Sequence, residues 1–161
     1  MVKVGIIGCG KIAQVRHIPE YLDNPNAKLT GLYDLNLQRA KELAEKYDCK
    51  FYESVEEMLA DPEIDAVSVC VANHVHAEIT IAALKAGKHV LCEKPMATKL
   101  KDCQMMVDTA EQMGKKLMIG QNQRFAKAHA EAKKSHRAWR YRKQFLLLKQ
   151  HSDMVARKHG V

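Results

Sequence analysis

Apolar positions along this chain follow two rhythms. Short, nearly unbroken apolar runs at residues 2–7, 28–33, 50–52, 66–71, 89–92 and 116–120 alternate with longer stretches in which apolar residues recur every third or fourth place. The short runs, bounded by Gly, Asp or Pro, predict strands buried on both faces of a parallel sheet. The longer stretches predict helices. Residues 11–22 have helical character split by Pro19, and Asp23-Asn24-Pro25-Asn26 breaks the chain after them. Asn36 caps a helix that runs to Tyr47 and places Leu37, Ala40, Leu43, Ala44 and Tyr47 on one face. Ser54 and Glu57 make a capping box for a short helix to Ala60, which Asp61-Pro62 stops. Helices over residues 75–86 and 99–113 are closed by Gly87 and Gly114. Six strands alternating with helices through short loops predict an α/β fold. Its sheet is doubly wound and parallel, with right-handed crossovers and strand order 3-2-1-4-5-6.

Size and charge then restrict the classes open to such a fold. With 161 residues, the chain holds one domain of ordinary size whose core needs neither disulfides nor a structural metal. No apolar run approaches membrane-spanning length, and the opening Met1-Val2-Lys3-Val4-Gly5 is interrupted too early for a signal peptide. A soluble, cytoplasmic protein is expected. Cys9, Cys49, Cys70, Cys92 and Cys103 are odd in number and show no CxxC spacing, so they read as free thiols of a reducing compartment. The formal net charge of +7 conceals two unlike parts. Residues 1–121 hold 15 Lys and Arg against 17 Asp and Glu, whereas residues 122–161 hold 11 against 2. The basicity belongs to the tail alone.

The first strand runs straight into Gly8-Cys9-Gly10-Lys11-Ile12-Ala13, a G-x-G-x-x-A pattern at a strand-to-helix junction. Gly8 permits the tight turn, Gly10 lets backbone approach a pyrophosphate, and Ala13 lets the helix lie close to the strand. The helix start then offers unpaired amides and a partial positive charge to phosphate. Asp34 ends the second strand, where a Rossmann-type fold places a carboxylate against the adenosine ribose. The competing reading of Asp34 is a helix cap; glycine spacing, context and acidic residue together favour the cofactor. No arginine directly follows Asp34, and the nearest, Arg39, lies about one helical turn onward. NAD is therefore expected over NADP. Lys11 reads either as an exposed helix-start lysine or, by its place in the turn, as a cofactor contact.

Two further segments follow strand ends: Val71-Ala72-Asn73-His74-Val75-His76 and Cys92-Glu93-Lys94-Pro95. Open parallel sheets bind ligands at such ends. Lys94 has the chemistry to stabilise a developing oxyanion or relay a proton, though a single loop lysine is ordinarily just solvated. The pieces GIIGCGKIA, Tyr33-Asp34, VCVANHVHAEITIAALKAGKHVLCEKPMA and IGQNQRF together resemble the Gfo/Idh/MocA family of oxidoreductases. That family groups glucose-fructose oxidoreductase with inositol 2-dehydrogenase and related sugar dehydrogenases. The resemblance covers residues 1–132, and its EKP motif is the most specific part.

Carried over residue by residue, the resemblance implies that Gly8, Gly10, Ile12 and Ala13 bind pyrophosphate and Asp34 binds ribose. It implies that Asn73 and His76 line the nicotinamide side. Glu93 and Lys94 match the EKP pair, whose lysine contacts substrate or nicotinamide and assists catalysis, with a cis bond expected before Pro95. Gln121, Asn122 and Arg124 would sit at the cleft edge. His74 and His76 read as a metal pair or as loop polarity, and no metal is expected.

Family members continue into an α+β domain that supplies the substrate pocket and the subunit interface, so a homo-oligomer stays open here. The expected division is a nucleotide-binding domain over residues 1–123 and a basic, helix-permissive tail over 124–161. From Ser135 the tail matches nothing in the family, as a truncation or reading-frame slip would produce. Codons chosen for residues 149–160 let the frame one base earlier spell KTTFGHGGPETW, which resembles a family substrate domain. In the tail, Trp139 and Phe145 to Leu148 form an apolar patch among basic residues.

The expected function is the cofactor domain of an NAD-dependent oxidoreductase acting on a sugar, inositol or other polyol, inactive by itself. The alternative is a non-catalytic nucleotide-binding module whose basic tail contacts nucleic acid or another anionic partner. No recognised nucleic-acid motif accompanies that charge.

Overall fold

A computed structural model describes residues 1–137, with side chains through residue 134. Six strands form one parallel sheet: β1 (Val2–Ile7), β2 (Ala27–Tyr33), β3 (Lys50–Phe51), β4 (Ala66–Val69), β5 (His89–Cys92) and β6 (Leu117–Ile119). Their order is β3-β2-β1-β4-β5-β6, as the sequence predicts. Successive residues of a strand face opposite sides, so neighbours in β1 feed different cores. Ile7 packs with Val67, Val69, Leu84 and Met106 on one face, and Ile6 with Ile18, Leu29, Leu32 and Ala40 on the other. This two-sided burial explains why the strand runs are apolar throughout rather than alternating.

The helices are α1 (Ile18–Asp23), α2 (Leu37–Lys46), α3 (Val55–Ala60), α4 (His76–Lys85), α5 (Leu100–Gln112) and α6 (Lys127–Arg137). Asn36 caps α2 by accepting the Arg39 amide at 3.1 Å. Ser54 Oγ caps α3 by accepting the Glu57 amide at 3.0 Å, while Glu57 reaches back to the Glu53 amide at 2.8 Å. The reciprocal bond of this box therefore lands one residue before the cap.

Two elements differ from the expected pattern. Ahead of α1, residues Ala13–His17 form a π turn, in which the Ile18 amide donates to the Ala13 carbonyl. Pro19 cannot donate to Val15, and its ring would crowd that carbonyl in a regular helix; the widened turn relieves both. β4 ends at Val69, two residues earlier than expected. The Cys70 amide adds a last bond to Ile7 O at 2.8 Å before the chain turns away into a 3-10 turn, Asn73–Val75, that leads into α4.

The chain divides into two units, Met1–Gly120 and Gln121–Val161. In the second, a 3-10 turn (Asn122–Phe125) precedes α6. Trp139, the apolar patch at 145–148 and the segment read for a frame slip lie outside the described residues.

Candidate functional site

The carboxyl ends of β1, β2 and β4 meet at a cleft of about 360 Å³, and residues that follow all three strands line it: Gly8 and Gly10, Asp34 and Leu35, Val71 and Ala72. This is where the chain reverses direction across the sheet, going outward to β2 from one side of β1 and to β4 on the other.

Gly8 has φ +96°, and a Cβ built there would stand 2.6 Å from the Cys70 carbonyl oxygen. Only glycine lets the ends of β1 and β4 come this close. Its amide donates to Tyr33 O at 2.8 Å, tying the turn to β2 as well. Gly10 differs in kind: a Cβ there meets nothing within 4 Å, because its backbone opens onto the cleft. Ala13 is fully buried under the turn, while Lys11 and Ile12 are exposed at the helix start. A first helical turn leaves its amides without intrahelical partners. An unobstructed glycine and helix-start amides that donate, with a nearby carboxylate that accepts, form a set that fits a dinucleotide.

Asp34 is buried, and both carboxylate oxygens are used. Oδ2 accepts the Cys9 amide at 2.7 Å and Oδ1 accepts the Asn36 amide at 2.8 Å. The helix cap is Asn36, so Asp34 instead fastens the glycine turn to the end of β2. Arg39, a helical turn away in sequence, brings Nη1 to 3.6 Å from Asp34 Oδ1. Beside them, burial and then the Asp34 charge push the Cys9 thiol up to about 12, so it stays protonated. All five cysteines are free.

A second group of residues lies where β5 ends. Glu93 is half-buried, Lys94 is exposed, and the Lys94–Pro95 peptide is cis. Glu93 Oε1 lies 2.9 Å from His17 Nε2, and Oε2 accepts the Lys94 amide at 3.1 Å. Gly120 makes room for this carboxylate, since a Cβ there would stand 3.2 Å from Oε1. Behind His17, Ser68 Oγ lies 3.3 Å from Nδ1 and 2.6 Å from the Tyr21 hydroxyl. His76 is 1% exposed, with Nδ1 2.7 Å from Pro95 O and Nε2 3.1 Å from Val71 O. Asn73 and His74 are exposed on the 3-10 turn between these contacts.

Sequence reading thus named Glu93, Lys94 and His76 but missed Tyr21, His17 and Ser68. A signal for them existed: Ser68 is the one polar residue of β4, and a hydroxyl in a strand buried on both faces needs a partner. Gln121 and Asn122 are exposed at the start of the second unit, as is Arg124. Among the described residues no three His, Cys, Asp or Glu side chains gather as metal ligands, and no helix is long and apolar enough to cross a membrane.

A family model described as "Oxidoreductase family, NAD-binding Rossmann fold" matches residues 2–121. The chain is 39% identical over 125 residues to glucose-6-phosphate 3-dehydrogenase of Bacillus subtilis, covering 78% of this chain and 35% of that protein. It is 36% identical over 124 residues to myo-inositol 2-dehydrogenase of Thermotoga maritima, covering 76% and 37%. Among solved structures, a 3-ketoreductase from Actinomadura kijaniata in complex with NADP and TDP-benzene superposes with a TM-score of 0.71. That pair shares 34% identity over 74% of this chain and 37% of the other. The chain therefore spans 35% to 37% of the length of these proteins.

Proposed function

Because this chain belongs to the Gfo/Idh/MocA oxidoreductase family, we propose that it is the cofactor-binding part of an NAD-dependent dehydrogenase. The enzyme transfers hydride between nicotinamide and a hydroxyl-bearing carbon of a sugar, inositol or other polyol. Residues 1–123 are its nucleotide-binding domain, residues 124–161 a basic tail, and the cytoplasm its compartment, which the free thiols support.

The observation that carries this reading is the convergence of Gly8, Gly10 and Asp34 on one cleft. The turn from Gly8 through Ala13 takes the pyrophosphate: Gly10 admits it, the amides of Lys11 and Ile12 face it, and the helix start favours its charge. Asp34 holds the adenosine ribose. Asn73 and the loop fastened by His76 mark the nicotinamide end, together with Glu93. Lys94 stands at the substrate oxygen: it takes the hydroxyl proton as hydride leaves for NAD, and in the reverse reduction its ammonium stabilises the developing negative charge there and returns that proton. NAD, when bound, supplies the hydride acceptor. Arg39 beside Asp34 also places a cation at the ribose edge, so NADP is the comparison that measures how strongly Asp34 selects.

Calorimetric titration of the chain with NAD and NADP tests the reading. NAD binds and NADP binds more weakly; Gly10→Val, which obstructs the turn, removes both. A folded wild-type chain that binds neither dinucleotide overturns it.

A further inference from the structure

We propose that His17 and His76 are positioning residues that hold the Glu93–Lys94–Pro95 turn from two sides and so fix where the Lys94 ammonium stands. His17 comes from the π turn before α1 and His76 from the start of α4, and both are buried. Neither is free to meet a ligand, because each ring is engaged at both nitrogens by protein atoms. What both touch is the turn that carries Lys94.

With Glu93 ionised and the His17 ring neutral, the proton positions on the His17 side follow. An ionised Glu93 carboxylate only accepts, so His17 Nε2 carries the proton and donates across 2.9 Å. In the neutral ring Nδ1 then has only a lone pair, so it accepts the Ser68 hydroxyl at 3.3 Å. Ser68, with its proton committed, accepts from the Tyr21 hydroxyl at 2.6 Å. Burial raises the Tyr21 pKa and keeps it a donor. Tyr21, Ser68 and His17 thus form a one-directional chain of donors that ends at the Glu93 carboxylate, whose Oε2 also accepts the Lys94 amide. Ser68 is rooted in a central strand, so the turn inherits the rigidity of the sheet.

His76 acts on the other end of the turn. Its ring stands between Pro95 O and Val71 O, at 2.7 and 3.1 Å. A carbonyl only accepts, so a neutral ring donates to one of the two; with the proton on Nδ1 it bonds Pro95 O at 2.7 Å and ties the start of α4 to the turn, while Nε2 only abuts Val71 O. Lys94 lies between the two anchors, with no side-chain partner of its own among the described residues. A catalytic lysine on an exposed loop needs such support, because a long flexible stem loses its aim without it.

The assignment of what is aimed rests on the cofactor reading above; the anchoring itself does not. His17→Phe and His76→Phe fill the ring volume and remove the nitrogens. In the unliganded chain, 15N relaxation at the Lys94 and Met96 amides shows loss of order in both variants, while the β4 amides keep theirs. With NADH and ADP-ribose as probes, the variants lose about tenfold more affinity for NADH than for ADP-ribose, equivalent to about 1.4 kcal/mol at the nicotinamide end. Glu93→Gln reproduces the His17 effect and serves if His17→Phe does not fold, and His76→Leu serves if His76→Phe does not. Unchanged order at Lys94 and Met96 in folded variants overturns the anchoring, and equal losses for NADH and ADP-ribose overturn the aiming. If the wild type binds neither probe, the cofactor reading and the aiming fail together, while relaxation still decides the anchoring.

Discussion

Asp34 Oδ2 accepts the Cys9 amide at 2.7 Å, joining the end of β2 to the middle of the glycine turn across 25 residues of chain. The same carboxylate has two duties in the proposed reading, since the group that faces the ribose also shapes the turn facing the pyrophosphate. Asp34→Ala therefore removes more than a ligand contact. It leaves a buried amide unpaired, which costs about 1–3 kcal/mol of stability, and it weakens NAD binding. Asp34→Asn keeps one acceptor oxygen and falls between the two. Urea unfolding and NAD titration of both variants check this; an unchanged urea midpoint in Asp34→Ala would contradict it.

The two glycines of the turn separate folding from binding. At Gly8 a methyl group would stand 2.6 Å from a backbone oxygen at φ +96°. Gly8→Ala should cost about 1–3 kcal/mol in backbone strain, more once the strand ends are pushed apart. At Gly10 a methyl group meets nothing, so Gly10→Ala should change stability by no more than about 0.5 kcal/mol. Its effect falls on NAD affinity. Thermal melts beside calorimetry distinguish the pair, and equal destabilisation by both substitutions would refute the distinction.

How far these residues could be found from sequence depends on how far apart their partners lie. Six strands and five helices follow from local apolar rhythm, the strand order follows from the default of a doubly wound sheet, and Asn36 and Ser54 cap their helices through bonds within three residues. Gly8, Gly10 and Asp34 were legible because the turn has a fixed spelling. His17 and Glu93 stand 76 residues apart, and Tyr21 and Ser68 47, so no spacing rule connects them. The π turn was missed for another reason: Pro19 signals a disturbance but not its form, since a kink, a break or a widened turn all accommodate the ring.

Alkaline pH should destabilise the fold from about pH 9 upward, where ordinary thiols begin to ionise. Burial pushes Cys9 up to about 12, with Asp34 adding to it, and raises Cys49 and Cys92 to about 11, against 9.0 for an ordinary thiol. The folded state thus holds these protons more tightly than the unfolded chain. Their contribution is fully present below pH 9 and is lost as pH rises from 9 through 11 to 12. Urea midpoints should fall across that window. Cys49→Ala should lose less of its midpoint between pH 9 and 11 than the wild type, and parallel curves would remove the thiol from the explanation.

Ser68 is wholly buried in β4, and its hydroxyl serves Tyr21 and His17 together. Deleting it leaves two polar groups without partners, whereas deleting the Tyr21 hydroxyl leaves one Ser68 lone pair empty. Ser68→Ala should therefore cost about 1–3 kcal/mol, and Tyr21→Phe less. The double variant should cost less than the sum, because Ser68→Ala has already broken the bond that Tyr21→Phe removes. A coupling of about 0.5 kcal/mol or more is expected for contacting residues of one network. Full additivity in denaturant unfolding would mean that the 2.6 Å contact contributes nothing to stability, and that the chain of donors behind Glu93 begins at Ser68 and not at Tyr21.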